Sequence, residues 1–169
     1  MAKREFAILG APYGGGAGVS GCALTPKLFR ERGLAKLIKM RMKNWASRKE
    51  FSIEDFGDIS CKLLMVRGKA NKAKVFCTAL EKKMDILYAN NKIPIVIGGD
   101  HTIGVASLAA SANHLEKKFG RKKLGVIWVD AHADINAYEV GNIHGKSLAI
   151  ALGEVFSGVF TSRGRYYFT

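Results

Sequence analysis

Ile93-Pro94-Ile95-Val96-Ile97 is an unbroken apolar run, dominated by β-branched side chains and closed by Gly98-Gly99. Strands that read this way are buried on both faces, as in parallel sheets covered by helices. Pro94 belongs near the start of such a strand, because proline cannot donate to a sheet ladder. Leu124-Gly125-Val126-Ile127-Trp128-Val129 repeats the pattern and is expected to be a second buried strand, with Asp130 at its carboxyl end. The shorter run Phe6-Ala7-Ile8-Leu9, closed by Gly10 and Pro12, reads as the first strand. Phe51 to Asp55 alternates apolar and polar side chains, as an edge or half-buried strand does.

Helical patterns fall between these strands. Thr25-Pro26 reads as an N-cap followed by proline at the first helical position, with Leu28, Leu34, Leu37 and Ile38 at helical spacing and Gly33 as an interruption. Lys69 to Asn90 carries Val75, Leu80, Met84 and Leu87 without a breaker, and Thr102 to Lys118 carries Ile103, Leu108 and Leu115. Strand and helix in alternation predict an α/β fold, a three-layer α/β/α arrangement around a mainly parallel sheet. Residues 1–169 read as one domain, with no internal repeat or linker. The glycine-rich Tyr13 to Val19 lacks the order and the lysine of a phosphate loop and reads as a flexible surface turn.

Composition narrows the class of partner. The 27 Lys and Arg against 14 Asp and Glu give a net charge of +13, which suggests an anionic partner. Nine of those basic residues lie between Lys27 and Lys49, with smaller groups at Lys69 to Lys74 and Lys117 to Lys123. They read as solvated helix faces and loops, since Phe29 and Trp45 are too few to build a base-stacking platform, so no nucleic-acid partner is expected. Cys22, Cys61 and Cys77 are odd in number and widely spaced, which fits a reducing compartment rather than a disulfide framework. No apolar run is long enough for a signal sequence or a membrane span, and a cytoplasmic location is expected.

Chemistry concentrates where ligands bind in open parallel sheets, beyond the carboxyl ends of the strands. His101 follows one apolar run, and Asp130, His132 and Asp134 follow another. Asp130 and His132 share a face if the strand persists that far, and Asp134 can fold back from the loop. Mixed carboxylate and imidazole donors favour Mn, Zn, Fe or Co, and four such groups make a two-metal site reasonable. Two metals about 3.5–4 Å apart would lower the pKa of a shared water, which makes hydrolysis the natural reaction class. His144, in the glycine-flanked Gly141-Asn142-Ile143-His144-Gly145 and expected in a flexible loop, could serve as a proton shuttle. Asp100 reads as orienting its neighbour His101 through hydrogen bonds, and His114, within a helix, as structural or exposed.

Gly98-Gly99-Asp100-His101-Thr102, Asp130-Ala131-His132-Ala133-Asp134-Ile135-Asn136 and Gly141-Asn142-Ile143-His144-Gly145, in this order, resemble the arginase family of ureohydrolases. The resemblance covers residues 5–153, and 154–169 form an atypical basic, aromatic tail. It implies an arginase-like binuclear manganese hydrolase that cleaves the guanidinium of L-arginine to urea and L-ornithine in a homo-oligomer, a trimer or hexamer. By motif match, His101 and Asp134 would hold one Mn2+, His132 the second, and Asp130 would bridge the two. His144 would be the proton-shuttling catalytic residue, and Asn136 and Asn142 would hold the amino-acid end of the substrate. Ile135-Asn136 favours an arginase over an agmatinase-type enzyme.

Two departures modify these expectations. The loop from Ile135 to Ile143 is shorter than the family pattern, and Val140 stands where a substrate-binding serine is expected. Nothing after Leu152 offers the second Asp-x-Asp pair of metal ligands. A truncated member of this kind is expected to hold at most one weakly bound Mn2+, to be impaired or inactive, and to leave buried strands as exposed edges. The alternative expectation is a catalytically dead fragment that acts as an interaction or regulatory subunit.

Overall fold

A computed structural model describes residues 3–45, 51–120, 124–138 and 141–156. Its organising element is β1 (Arg4–Ala11), the middle strand of a three-stranded parallel sheet. β2 (Phe51–Asp58) flanks it on one side and β3 (Lys92–Gly98) on the other. Phe6 pairs with Ile53 and Ile93, and Ile8 with Asp55 and Ile95. Lys92 reaches across the sheet, its Nζ 3.0 Å from Glu5 Oε2 and 3.3 Å from Glu54 Oε2.

Helices cover both faces, as the apolar β1 run requires. Ala7, Leu9 and Ala11 face α3 (Lys69–Ala89) and α4 (Ile103–Phe119), joining a core with Phe76, Leu80, Met84, Val105 and Ala106. The buried apolar positions of α3, Ala73, Phe76, Cys77, Leu80, Met84 and Leu87, follow the three- and four-residue spacing of one helical stripe. On the opposite face lie Ile8 and Gly10, and a Cβ on Gly10 would stand 2.9 Å from that of Pro26 in α1 (Thr25–Glu31). Arg30 of α1 clamps β2, its Nε and Nη2 donating to the two oxygens of Asp55 at 2.7 and 3.0 Å and its Nη1 to Asp58.

Several local expectations are corrected. Thr25 is not the cap of α1, because the helix already includes it and Leu24 holds the cap position without a side-chain hydrogen bond. Gly33, at φ 73°, does interrupt the helical pattern, separating α1 from α2 (Leu34–Trp45). β3 is only partly buried, with Ile93 43% exposed, and among the described residues it pairs only with β1, which leaves it as the exposed edge expected above. Leu124 to Val129 forms no strand at all, and Ile127 and Val129 are each 92% exposed. No described strand pairs with this segment, so its backbone joins no ladder, and Ile127 and Val129 lack apolar cover while Trp128 packs on His101. Each uncovered Ile or Val forgoes roughly 1.5–3 kcal/mol of burial.

The chain next passes a short 3-10 turn (Ile143–Lys146) into α5 (Ser147–Ala151), which packs on α4. No described helix is long and apolar enough to cross a membrane. Val140, the basic residues 48–49 and 121–123, and residues 157–169 of the tail lie outside the described residues.

Candidate metal centre

Gly98-Gly99 ends β3 with almost no side chain, and that is what lets the strand end dock closely. A Cβ on Gly99 would stand 2.0 Å from the Tyr13 carbonyl oxygen. Asp100 N–H donates to that same oxygen at 2.7 Å. Asp100 is buried, and its carboxylate accepts three backbone N–H groups: Gly16 at 2.7 Å and Ala17 at 2.9 Å on one oxygen, Thr102 at 2.9 Å on the other. The glycine-rich segment is therefore not a free surface turn but a loop pinned from beneath. Asp100 orients this loop and the start of α4, rather than bonding to the His101 ring.

His101 is held from several directions. Its imidazole stacks on Trp128, with centroids 4.5 Å apart and ring planes 15° apart. Its carbonyl accepts from Gly104 N–H at 2.9 Å and from the Ser147 hydroxyl at 2.8 Å. Its Nδ1 lies 2.9 Å from Asp130 Oδ2 and 2.9 Å from Asp134 Oδ2. One donor atom from each of these three residues falls within 4.8 Å of the others.

Asp134 comes back to the site as the loop expectation required. Its φ of 53° reverses the chain, and its carbonyl accepts from Leu148 and Ala149 N–H at 3.1 and 3.0 Å, so the first turn of α5 holds it. The side chain is buried, and Oδ2 has no aligned hydrogen-bond donor among the described residues despite its closeness to His101. Burial pushes the Asp134 carboxyl above the usual carboxylate range, against the pull of His101 and with the repulsion of Asp130. Asp130 moves the other way, lowered first by the His132 N–H on its carboxylate.

That N–H contact explains where His132 goes. His132 N donates to Asp130 Oδ1 at 2.7 Å, turning the chain immediately after Asp130 and breaking the two-residue strand period. The His132 side chain is 84% exposed, its Nδ1 3.5 Å from Asp130 Oδ1, and it stands outside the three-residue group. His144 is not in a flexible loop. It sits in the Ile143–Lys146 turn between buried Ile143 and Lys146, and its N–H lies 3.5 Å from the Gly16 carbonyl.

His101, Asp130, His132, Asp134, Asn136 and His144 all line one cleft of about 490 Å³, a size that suits a small polar molecule. The Asn136 carboxamide is engaged locally, accepting from Tyr138 N–H at 3.1 Å. Asn142 is exposed and does not line the cleft. His114 is remote, stacked on Tyr88 at 4.3 Å, where burial lowers its pKa. Sequence reasoning did not single out Trp128 or Ser147. The signal for Ser147 was a lone hydroxyl three residues after His144, opening an otherwise apolar helix.

The donor set fits a divalent cation. Two carboxylates and an imidazole converge, and the buried, unpartnered Asp134 oxygen is an atom a cation would satisfy. A mixed oxygen and nitrogen set suits a metal such as manganese or zinc.

Known proteins give the site its context. Residues 4–160 match the model of the arginase family. An arginase from Bacillus caldovelox is 34% identical over 161 residues, covering 89% of this chain and 49% of the relative. An arginase from Bacillus subtilis strain 168 is 30% identical over 158 residues, covering 89% and 49%. The native structure of the Bacillus caldovelox arginase at pH 5.6 superposes with a TM-score of 0.70 at 30% identity, over 90% of this chain and 50% of that one. A Bacillus subtilis formimidoylglutamase, 19% identical with a TM-score of 0.58, shares the fold. The chain spans about half the length of the curated relatives it matches. With a match running from the first strand through the three converging ligands and beyond α5, the chain belongs to the arginase family.

Proposed function

We propose that this chain carries part of a manganese ureohydrolase site that acts on the guanidinium of L-arginine, giving urea and L-ornithine. The observation that carries the reading is the convergence of His101, Asp130 and Asp134 on one point of an open cleft. A divalent cation held there would supply Lewis acidity and bring the pKa of a bound water toward neutrality. His101, Asp130 and Asp134 would hold it, and Asp130 would be the carboxylate shared with a second ion. His132, turned to solvent, would need a side-chain rotation to contribute to that second ion. The three converging donors among the described residues would hold one Mn2+ weakly, because they compensate the charge of one ion at most.

The remaining residues divide the work on substrate. His144, on the cleft wall, would accept and return a proton at its imidazole. Asn136 would offer its carboxamide to the amino-acid end, and Asn142 would do so only after moving toward the cleft. Ile135-Asn136, together with relatives named as arginases, favours arginine over agmatine.

The test is Mn2+ binding by the purified chain, followed by electron paramagnetic resonance, with urea release from arginine measured alongside. One weakly bound ion that His101→Ala abolishes is the expected result. Absence of Mn2+ binding here, together with absence of urea from a version extended by the remaining half of a relative, would overturn the reading.

A second reading is favoured by Ile127 and Val129, whose exposure suits an interaction subunit that gains an apolar cover from another chain. It predicts co-purification with a longer homologue, and a chain recovered only alone or in aggregates would count against it.

A further inference from the structure

The cleft residues come from separate parts of the chain, and one buried side chain touches two of them. Ser147 is fully buried, and its Oγ lies 2.8 Å from the His101 carbonyl oxygen and 2.9 Å from that of His144. We propose that Ser147 is a positioning residue, its hydroxyl bridging the backbones of the two site histidines and so fixing the distance between the ion-holding imidazole and the proton-carrying one. The inference rests on the roles given to His101 and His144 under the proposed function.

The argument is geometric. A serine hydroxyl carries one proton, so at these two distances it is shared between carbonyls 46 and 3 residues away in sequence. The next two residues, Leu148 and Ala149, give their N–H groups to the Asp134 carbonyl. The first turn of α5 thereby holds His101, His144 and Asp134 together, and Ser147 is its only member to do so through a side chain. Trp128 fixes only the face of the His101 ring, and the Gly16 carbonyl meets His144 at the longer distance of 3.5 Å. Neither links the two histidines to each other.

Ser147→Ala removes the bridge and little else. The carbonyl of His101 keeps the Gly104 N–H, so the variant does not strand it. Ser147→Thr keeps the hydroxyl, and the facing Gly104 carries no side chain of its own.

The experiment uses the full 169-residue chain, metal-free, with its histidines labelled for 13C–1H correlation spectra at fixed pH. Ser147→Ala is expected to shift the ring resonances of His101 and His144, to leave that of His114 in place, and to weaken Mn2+ binding roughly three- to tenfold. Ser147→Thr is expected to restore both readouts. The proposal is overturned if His101 and His144 do not move in Ser147→Ala, if His114 moves with them, or if Ser147→Thr shifts them equally. The spectra need no metal, so failure of the wild-type chain to bind Mn2+ would count against the proposed function and leave the Ser147 bridge to be decided by the resonances.

Discussion

Asp100→Ala should be among the most damaging single changes in this chain, although Asp100 is assigned neither to the cation nor to the substrate. Among the described residues its carboxylate is the acceptor for the Gly16, Ala17 and Thr102 N–H groups, at 2.7, 2.9 and 2.9 Å. Two of these contacts are buried, and the Ala17 contact is partly buried. A buried donor left without an acceptor costs about 1–3 kcal/mol, so the two buried contacts alone give roughly 2–6 kcal/mol, with a smaller share from Ala17, which water can reach. Against a typical stability of about 5–15 kcal/mol this is a large fraction. With a urea slope of about 2 kcal/mol/M, the midpoint should fall by roughly 1–3 M. Asp100→Asn should fall between, because one carbonyl oxygen still accepts while the amide NH2 faces N–H groups. Urea unfolding gives the energy, and hydrogen exchange at Gly16, Ala17 and Thr102 gives the location. A loss below about 1 kcal/mol with those three amides still slow would refute the reasoning.

Asp134→Asn should act in two directions, weakening Mn2+ binding at least about tenfold while raising the stability of the metal-free chain, because it removes a buried carboxylate with an unpartnered oxygen. Calorimetry with and without Mn2+ checks both signs, and lower metal-free stability would point to a structural carboxylate instead. Gly16→Ala should destabilise, since its Cβ would stand 2.0 Å from Thr102 Oγ1 and 3.1 Å from both Asp100 oxygens; a melting temperature equal to that of wild type would contradict this. The Arg30 hydrogen bonds hold the Asp55 carboxyl below its ordinary range, so the pair stabilises above the unfolded carboxylate value near pH 4 and loses that contribution as pH falls through the depressed folded value. Because both side chains are about 30% exposed, Arg30→Met should cost only about 1 kcal/mol at pH 7, with the difference from wild type vanishing in strong acid, as urea melts across pH will read. Burial pushes the Cys77 thiol up to about 12, so alkylation at neutral pH should reach it only after unfolding, and rapid labelling of the folded chain would contradict its placement.

The elements legible in the sequence are those whose pattern reports a surface the chain itself supplies. β1 reads as a strand and is one, buried over Ala7 to Ala11 because β2, β3 and helices on both faces are all present to cover it. The stripe of α3 and the break at Gly33 follow local rules and are found where those rules put them. Leu124 to Val129 carries the same apolar signal as β1, yet it forms no strand and leaves Val126, Ile127 and Val129 exposed. Apolar periodicity records what a segment would gain by burial and contains nothing about whether a neighbour exists to bury it. β3, by contrast, is the exposed edge expected above, pairing with β1 alone among the described residues.

The site divides along a different line. His101, Asp130 and Asp134 were readable because ligand-type side chains at the carboxyl ends of strands cluster by topology, and the left-handed backbone at Asp134 completes what the spacing suggested. His132 was misplaced by extrapolating a strand period past Asp130, where a single side-chain-to-backbone hydrogen bond turns the chain instead. Asp100 and Ser147 were harder, since a carboxylate before a helix and a serine at the head of one are ordinary in any sequence. What sets them apart is the distance their contacts span: 84 residues from Asp100 to Gly16, and 46 from Ser147 to His101. Contacts of that range follow from how β3, the glycine-rich loop and α5 meet, which no local pattern encodes. Spacing thus brings His101, Asp130 and Asp134 to one point, whereas the groups that fix their geometry emerge only once the chain has folded around them.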